Sequence, residues 1–177
     1  MYVHNGRSAK AASRVALVSI AIAFAQASSV ASAQDGLVTY KSLSPDLALE
    51  VAQAALKRCR ADGFQVAVVV MDRFGQAQVL IRDQYAGLPA AETASDKAYT
   101  AIGFRANTSD LVKSVQSGQL SATLGTLPRV RFLAGGLMIE SAGTLVGSVG
   151  VSGAPGGDKD EACAQAGLDA IRDKLDF

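Results

Sequence analysis

The chain has 177 residues, 49% of them hydrophobic and 19% charged, with 17 basic against 16 acidic side chains and a formal charge of +1. Nothing in that balance suggests a nucleic-acid surface, which needs a clustered basic face, and the length suffices for one domain with a sizeable core. A single histidine, His4, leaves little room for imidazole chemistry.

The N-terminal segment, residues 1–33, reads as a secretory signal peptide. Arg7, Lys10 and Arg14 form a basic start, Val15 to Ala25 is an uncharged apolar run, and Ala31-Ser32-Ala33 offers a small-residue cleavage site. The run is short for a bilayer anchor; the alternative is a retained amphipathic helix. Cleavage near Ala33 leaves a single domain over 34–177, delivered to the periplasm or outside the cell. The leader carries three of the 17 basic residues and none of the 16 acidic ones, so the mature charge is −2.

Residues 37–43 read as a short strand or an extended arm. Ser44-Pro45 then opens a helix, since serine caps and proline suits the first turn. Its apolar stripe is Leu47, Val51, Ala54, Ala55 and Cys59, and Asp62-Gly63 ends it. Residues 64–72 are apolar on both alternating faces, as in a strand covered on both sides. Asp72 to Gly75 turns the chain and Gln76 to Arg82 returns, forming a hairpin.

Ala90 to Phe104 is helical, Arg105-Ala106-Asn107 breaks it, and Thr108 or Ser109 caps a short helix through Gln116. Residues 117–131 are irregular. A second hairpin spans 136–141 and 144–151 around Ser141-Ala142-Gly143, and a helix runs from Asp158 to about Lys174. Gly147, Gly150, Gly153, Gly156 and Gly157 crowd the end of that hairpin. Glycines this frequent expose backbone to a close neighbour: a helix, another subunit or a flat ligand. The order predicts an α+β fold, one antiparallel sheet of about five strands with helices packed on it. Cys59 and Cys163 both fall on helices. They pair if those helices lie side by side, but each reads more readily as a small buried residue on an apolar face.

Several stretches then become recognisable together: Val70-Met71-Asp72-Arg73-Phe74-Gly75, Lys97-Ala98, Asn107-Thr108-Ser109-Asp110-Leu111, Gly135-Gly136-Leu137, Gly150-Val151-Ser152-Gly153, and Asp160-Glu161 with Ala164-Gln165-Ala166-Gly167. In combination they resemble the GlcG/HbpS-type haem-binding family, from about Ser44 to Ile171. The resemblance implies a profilin-like α/β sandwich, assembly into symmetric homo-oligomers, and binding of haem or a related flat tetrapyrrole.

Haem iron is held by His, Met, Cys or Tyr. With His4 lost in the leader, imidazole ligation, a His-based zinc site and a Ser-His-Asp hydrolase are all excluded. Met71, Met138, Tyr40, Tyr85 and Tyr99 remain as donors, each with core packing as the plainer role. The resemblance draws attention to Thr108, beside Arg105 and Asn107, as a weak surface contact; helix capping is its alternative. Arg73, Lys97, Arg105, Arg129 and Arg131 offer cations for propionates, with Arg105 favoured by its place beside Thr108. The site candidates are thus Thr108, Arg105, Lys97, Met138 and Tyr99. Two acidic pairs, Glu92 with Asp96 and Asp158 with Glu161, are spaced for a hard metal ion, although the second also suits a helix start.

Three functions compete. The first is a secreted haem binder that sequesters haem or iron or informs a membrane sensor. The second is an enzyme on a small metabolite or tetrapyrrole acting through Glu92, Asp96 or Lys97. The third is a ligand-free oligomeric scaffold.

Overall fold

Ser44 accepts a hydrogen bond from the Leu47 amide at 3.3 Å, and Pro45 follows it, so the first helix starts where these two residues place it. The structure, a computed structural model, describes residues 36–175; the expected leader and cleavage site lie outside them. The compact unit begins at Tyr40. Its elements are α1 (Pro45–Ala61), β1 (Ala67–Asp72), β2 (Ala77–Arg82), α2 (Ala90–Phe104), α3 (Thr108–Gln116), β3 (Gly136–Ser141), β4 (Thr144–Ser152) and α4 (Gly157–Ile171). Short 3₁₀ turns occupy Ala122–Thr126, inside the stretch expected to be irregular, and Arg172–Lys174, where α4 was expected to continue.

The four strands form one antiparallel sheet in the order β2-β1-β4-β3. The expected fifth strand, 37–43, is an extended arm. β1 ends opposite Gly147. The next free carbonyl of β4, that of Val146, takes the Leu43 amide at 3.0 Å, and Leu43 is the arm's buried anchor. One such bond makes no ladder. At the Ala142-Gly143 turn both residues have positive φ, the conformation a two-residue hairpin requires.

On one face of the sheet, α1 and α4 cover Val68, Val70, Leu137, Ile139, Val149 and Val151. The Cys59–Cys163 disulfide joins these two helices with a Cα separation of 5.5 Å and both residues fully buried. The reading of two separate buried thiols is therefore corrected. α1 and α4 pack close enough for the pairing because Gly167 lies against the backbone of Val51, where a Cβ would come within 2.7 Å of the carbonyl oxygen.

On the other face, α2 lays Ala94 and Ala98 over Ala67, Val69 and Met71. The approach is backbone to backbone: a Cβ on Gly150 would lie 2.0 Å from the Ala94 carbonyl oxygen, and one on Gly136 would lie 2.4 Å from that of Lys97. Of the glycine-dense crossing, Gly150 is bare for a helix of its own chain, while Gly147, Gly153 and Gly157 lie against the backbone of Met71, Gln65 and Ala134.

Candidate functional site

Two of the sequence-derived candidates, Thr108 and Met138, meet at the outer edge of β3. α2 ends at Phe104, and Arg105 turns the chain in the left-handed region, φ 51°, with its side chain exposed. This turn brings Asn107 and Thr108 alongside β3. Asn107 Oδ1 accepts from the Met138 amide at 3.0 Å. Thr108 Oγ1 accepts from the Gly136 amide at 2.8 Å and donates to the Gly136 carbonyl at 3.2 Å. Two side chains thus supply the bonds that a neighbouring strand would give, and they close an edge that would otherwise be open.

Thr108 is fully buried, with its hydroxyl committed to Gly136. It does not cap α3, nor does Ser109. Asn107 occupies the cap position, and its side chain points to β3 rather than into its own helix. Ser109 Oγ donates instead to Glu161 Oε1 at 2.9 Å, tying α3 to α4. Glu161 Oε2 is buried with no hydrogen-bond partner among the described residues.

Where β3 meets α4 there is a shallow groove of about 180 Å³, lined by Asn107, Met138, Gln165, Leu168, Arg172 and Leu175 among others. Its floor is aliphatic, Met138 contributes a thioether, and Arg172 stands at the rim. Arg172 also bonds Asp169. That bond, with a second from Gln165, holds the Asp169 carboxyl below its ordinary range. Met138 was a candidate from the start. Gln165, Leu168, Arg172 and Leu175 were missed, although their spacing of three, four and three residues is a one-face stripe on a helix.

The other candidates lie apart from this groove. Lys97 is buried, donating to Asp160 Oδ2 at 2.7 Å and to the Val151 carbonyl at 2.9 Å. Asp160 Oδ1 accepts from the Ala154 amide at 3.0 Å. Burial pushes the Asp160 carboxyl up, against the opposing pull of the Lys97 charge. Tyr99 carries the Arg129 guanidinium 4.0 Å above its ring centroid. Asp96 is buried and pairs with Arg131 Nε at 3.3 Å, while Glu92 is exposed. Asp158 is exposed in the first turn of α4, and a hydrogen bond with Lys159 lowers its pKa. Among the described residues no three His, Cys, Asp or Glu side chains gather as metal ligands would.

Comparison with known proteins agrees with this architecture. Residues 43–169 match the family described as "Haem degrading protein HbpS-like". A crystal structure of a double mutant of Streptomyces reticuli HbpS is 36% identical, covering 82% of this chain and 97% of that one, with a TM-score of 0.73. The crystal structure of a PduOC–haem complex is 30% identical, covering 73% of this chain and 95% of that one, with a TM-score of 0.69. An uncharacterised 15.0 kDa protein from the dhaT-dhaS intergenic region of Citrobacter freundii is 29% identical over 126 residues, 70% of this chain and 88% of that protein.

Proposed function

The chain belongs to the HbpS-like family, and from that membership we propose that it is a haem-binding protein whose site is the groove at the β3 edge. The observation that carries the reading is the family match across nearly all of the compact unit, joined by the likeness to a relative solved as a haem complex. The donor set of the groove fits haem. Met138 supplies a sulfur of the type that ligates haem iron, Leu168 and Leu175 supply an apolar bed, and Arg172 supplies a guanidinium for a propionate. Arg105, exposed two residues before Asn107, is a second cation for that role. Thr108 acts as a positioning residue that keeps Asn107 and Met138 in register.

The haem, when bound, brings its own iron chemistry. The residues of this chain bind and orient it and give its propionates counter-charge. Hemin titration of the mature protein tests the proposal: a shifted Soret band, weakened in Met138→Ala and in Arg172→Ala, is the expected result. No spectral change up to about 10 μM hemin would remove haem as the ligand. A full change indifferent to both substitutions would move the site away from this groove.

We further propose that the protein is exported and self-associates. Export is supported by the leader reading and by the Cys59–Cys163 disulfide, which persists in oxidising compartments. Self-association is supported by β2, an unpaired edge strand with Leu80 exposed, and by Phe74, Tyr85 and Leu88 exposed in the turn before it and the loop after it. Light scattering on the mature protein that reports a monomer would remove the second of these.

A further inference from the structure

Met138 sits on β3 between two core side chains, Leu137 and Ile139, so its own side chain leaves the strand on the opposite side. It is half-buried in the groove where β3 meets α4. Its backbone is held from both edges. The amide donates to Asn107 Oδ1 at 3.0 Å, and across the ladder the residue faces Ser148, whose hydroxyl is tied to the Ala98 carbonyl. The Thr108 clasp on Gly136 fixes the strand two residues earlier. What extends from this fixed backbone is a flexible, polarisable thioether.

Of the residue types that hold haem iron, Met138 is alone in lining this groove. The other such donors among the described residues are committed elsewhere. Cys59 and Cys163 are joined to each other, and Met71 is fully buried under α2. Tyr99 lies beneath the Arg129 guanidinium, Tyr40 sits edge-on to Phe74, and Tyr85 belongs to the loop after β2. The groove thus offers iron one neutral sulfur and neither a thiolate nor a phenolate.

Two charged side chains line the same groove, Glu140 and Arg172, opposite in sign and both exposed, and Arg172 is paired with Asp169. Exposed charges are screened by water and salt, so the ligand atom dominates. A soft, uncharged thioether compensates the extra positive charge of ferric iron less well than an anionic ligand would. It favours the ferrous state, in line with the raised potentials of methionine-ligated haem.

Given the reading of this groove as a haem site, on which the present step rests, we infer that Met138 makes it select haem by oxidation state. Ferrous haem is held tightly and ferric haem weakly, with Met138 as the specificity-determining residue. Affinity ratio and potential are linked by one thermodynamic cycle: a tenfold tighter hold on ferrous haem raises the one-electron midpoint by about 59 mV.

Anaerobic titration of the mature protein with hemin and with dithionite-reduced haem, followed by potentiometry of the complex, tests this. Ferrous haem is expected to bind at least about tenfold more tightly than ferric. Met138→Leu keeps the size and apolar character of the side chain, which spares the fold, and removes the sulfur. In this variant the two affinities are expected to converge and the bound midpoint to fall by about 59 mV. Equal affinities in the parent protein, or tighter ferric binding, overturn the inference while haem binding itself stands. A ferrous preference undiminished in Met138→Leu overturns the role of Met138. Failure of both oxidation states to bind removes haem from the groove, and this inference with it.

Discussion

The two faces of the sheet are held by different means. On the α1/α4 face, valines, leucines and isoleucines fill the space between layers, and the disulfide fastens the two helices to each other. On the α2/α3 face the side chains are mostly alanine, the backbones nearly touch, and buried polar groups set the fit. There Lys97 pins α2 to the end of β4 and the start of α4, Ser148 donates to the Ala98 carbonyl at 2.9 Å, and Thr108 clasps β3. The first face gains from apolar area, which tolerates small shifts. The second gains from directional bonds, which do not. The proposed haem groove lies where β3 meets α4, at the margin of the first face, with Asn107 reaching it from the start of α3.

The contrast can be broken most sharply at Lys97. Lys97→Met leaves Asp160 buried without its partner and is expected to destabilise by about 3–5 kcal/mol in denaturant unfolding near neutral pH. Burial already holds the Asp160 pKa above its ordinary value, and without Lys97 it rises further. The variant's folded state therefore binds a proton that the unfolded chain releases more readily. Its deficit should shrink as pH falls through that raised value, and a deficit independent of pH would contradict the assignment.

On the opposite face, replacing Cys59 and Cys163 together by alanine is expected to lower stability by about 2–5 kcal/mol, because the crosslink spans 104 residues and restricts the unfolded chain. Melting the variant beside the oxidised and reduced parent checks this, and matched midpoints for variant and reduced parent are expected. The smallest effect belongs to the β3 clasp. Thr108→Val removes both bonds to Gly136 and is expected to cost about 1–3 kcal/mol. Amide exchange should accelerate at Gly136 and Met138 before it does so in β1, and uniform acceleration would assign the loss to packing instead.

Much of this fold is legible in the sequence because its signals are local. Ser44-Pro45 starts α1, Gly63 follows its end, and the bounds of α2 and α3 come from their own periodicity and the Arg105-Ala106-Asn107 break. The sequence left 37–43 open between a strand and an extended arm; the structure decides for the arm, because β1 covers β4 from Gly147 onward and Leu43 makes a single backbone bond, to Val146. Thr108 and Asn107 look like cap residues by type. They are drawn from capping by Gly136 and Met138, about 30 residues away, whose edge groups need partners. The stripe of Gln165 and Leu168 on α4 with Arg172 and Leu175 in the 3₁₀ turn after it was readable and passed over.

From residue types alone follow the helices, the two hairpins, the family, and the absence of histidine from the chain after His4. These depend on neighbours along the chain or on composition, which folding does not alter. Only the tertiary structure decides that Cys59 meets Cys163, that Gly150 of β4 receives α2, and that Lys97 is spent largely on Asp160. Each of those is a meeting of groups more than 50 residues apart. Which of several suitable partners a side chain finds is settled by how the layers pack.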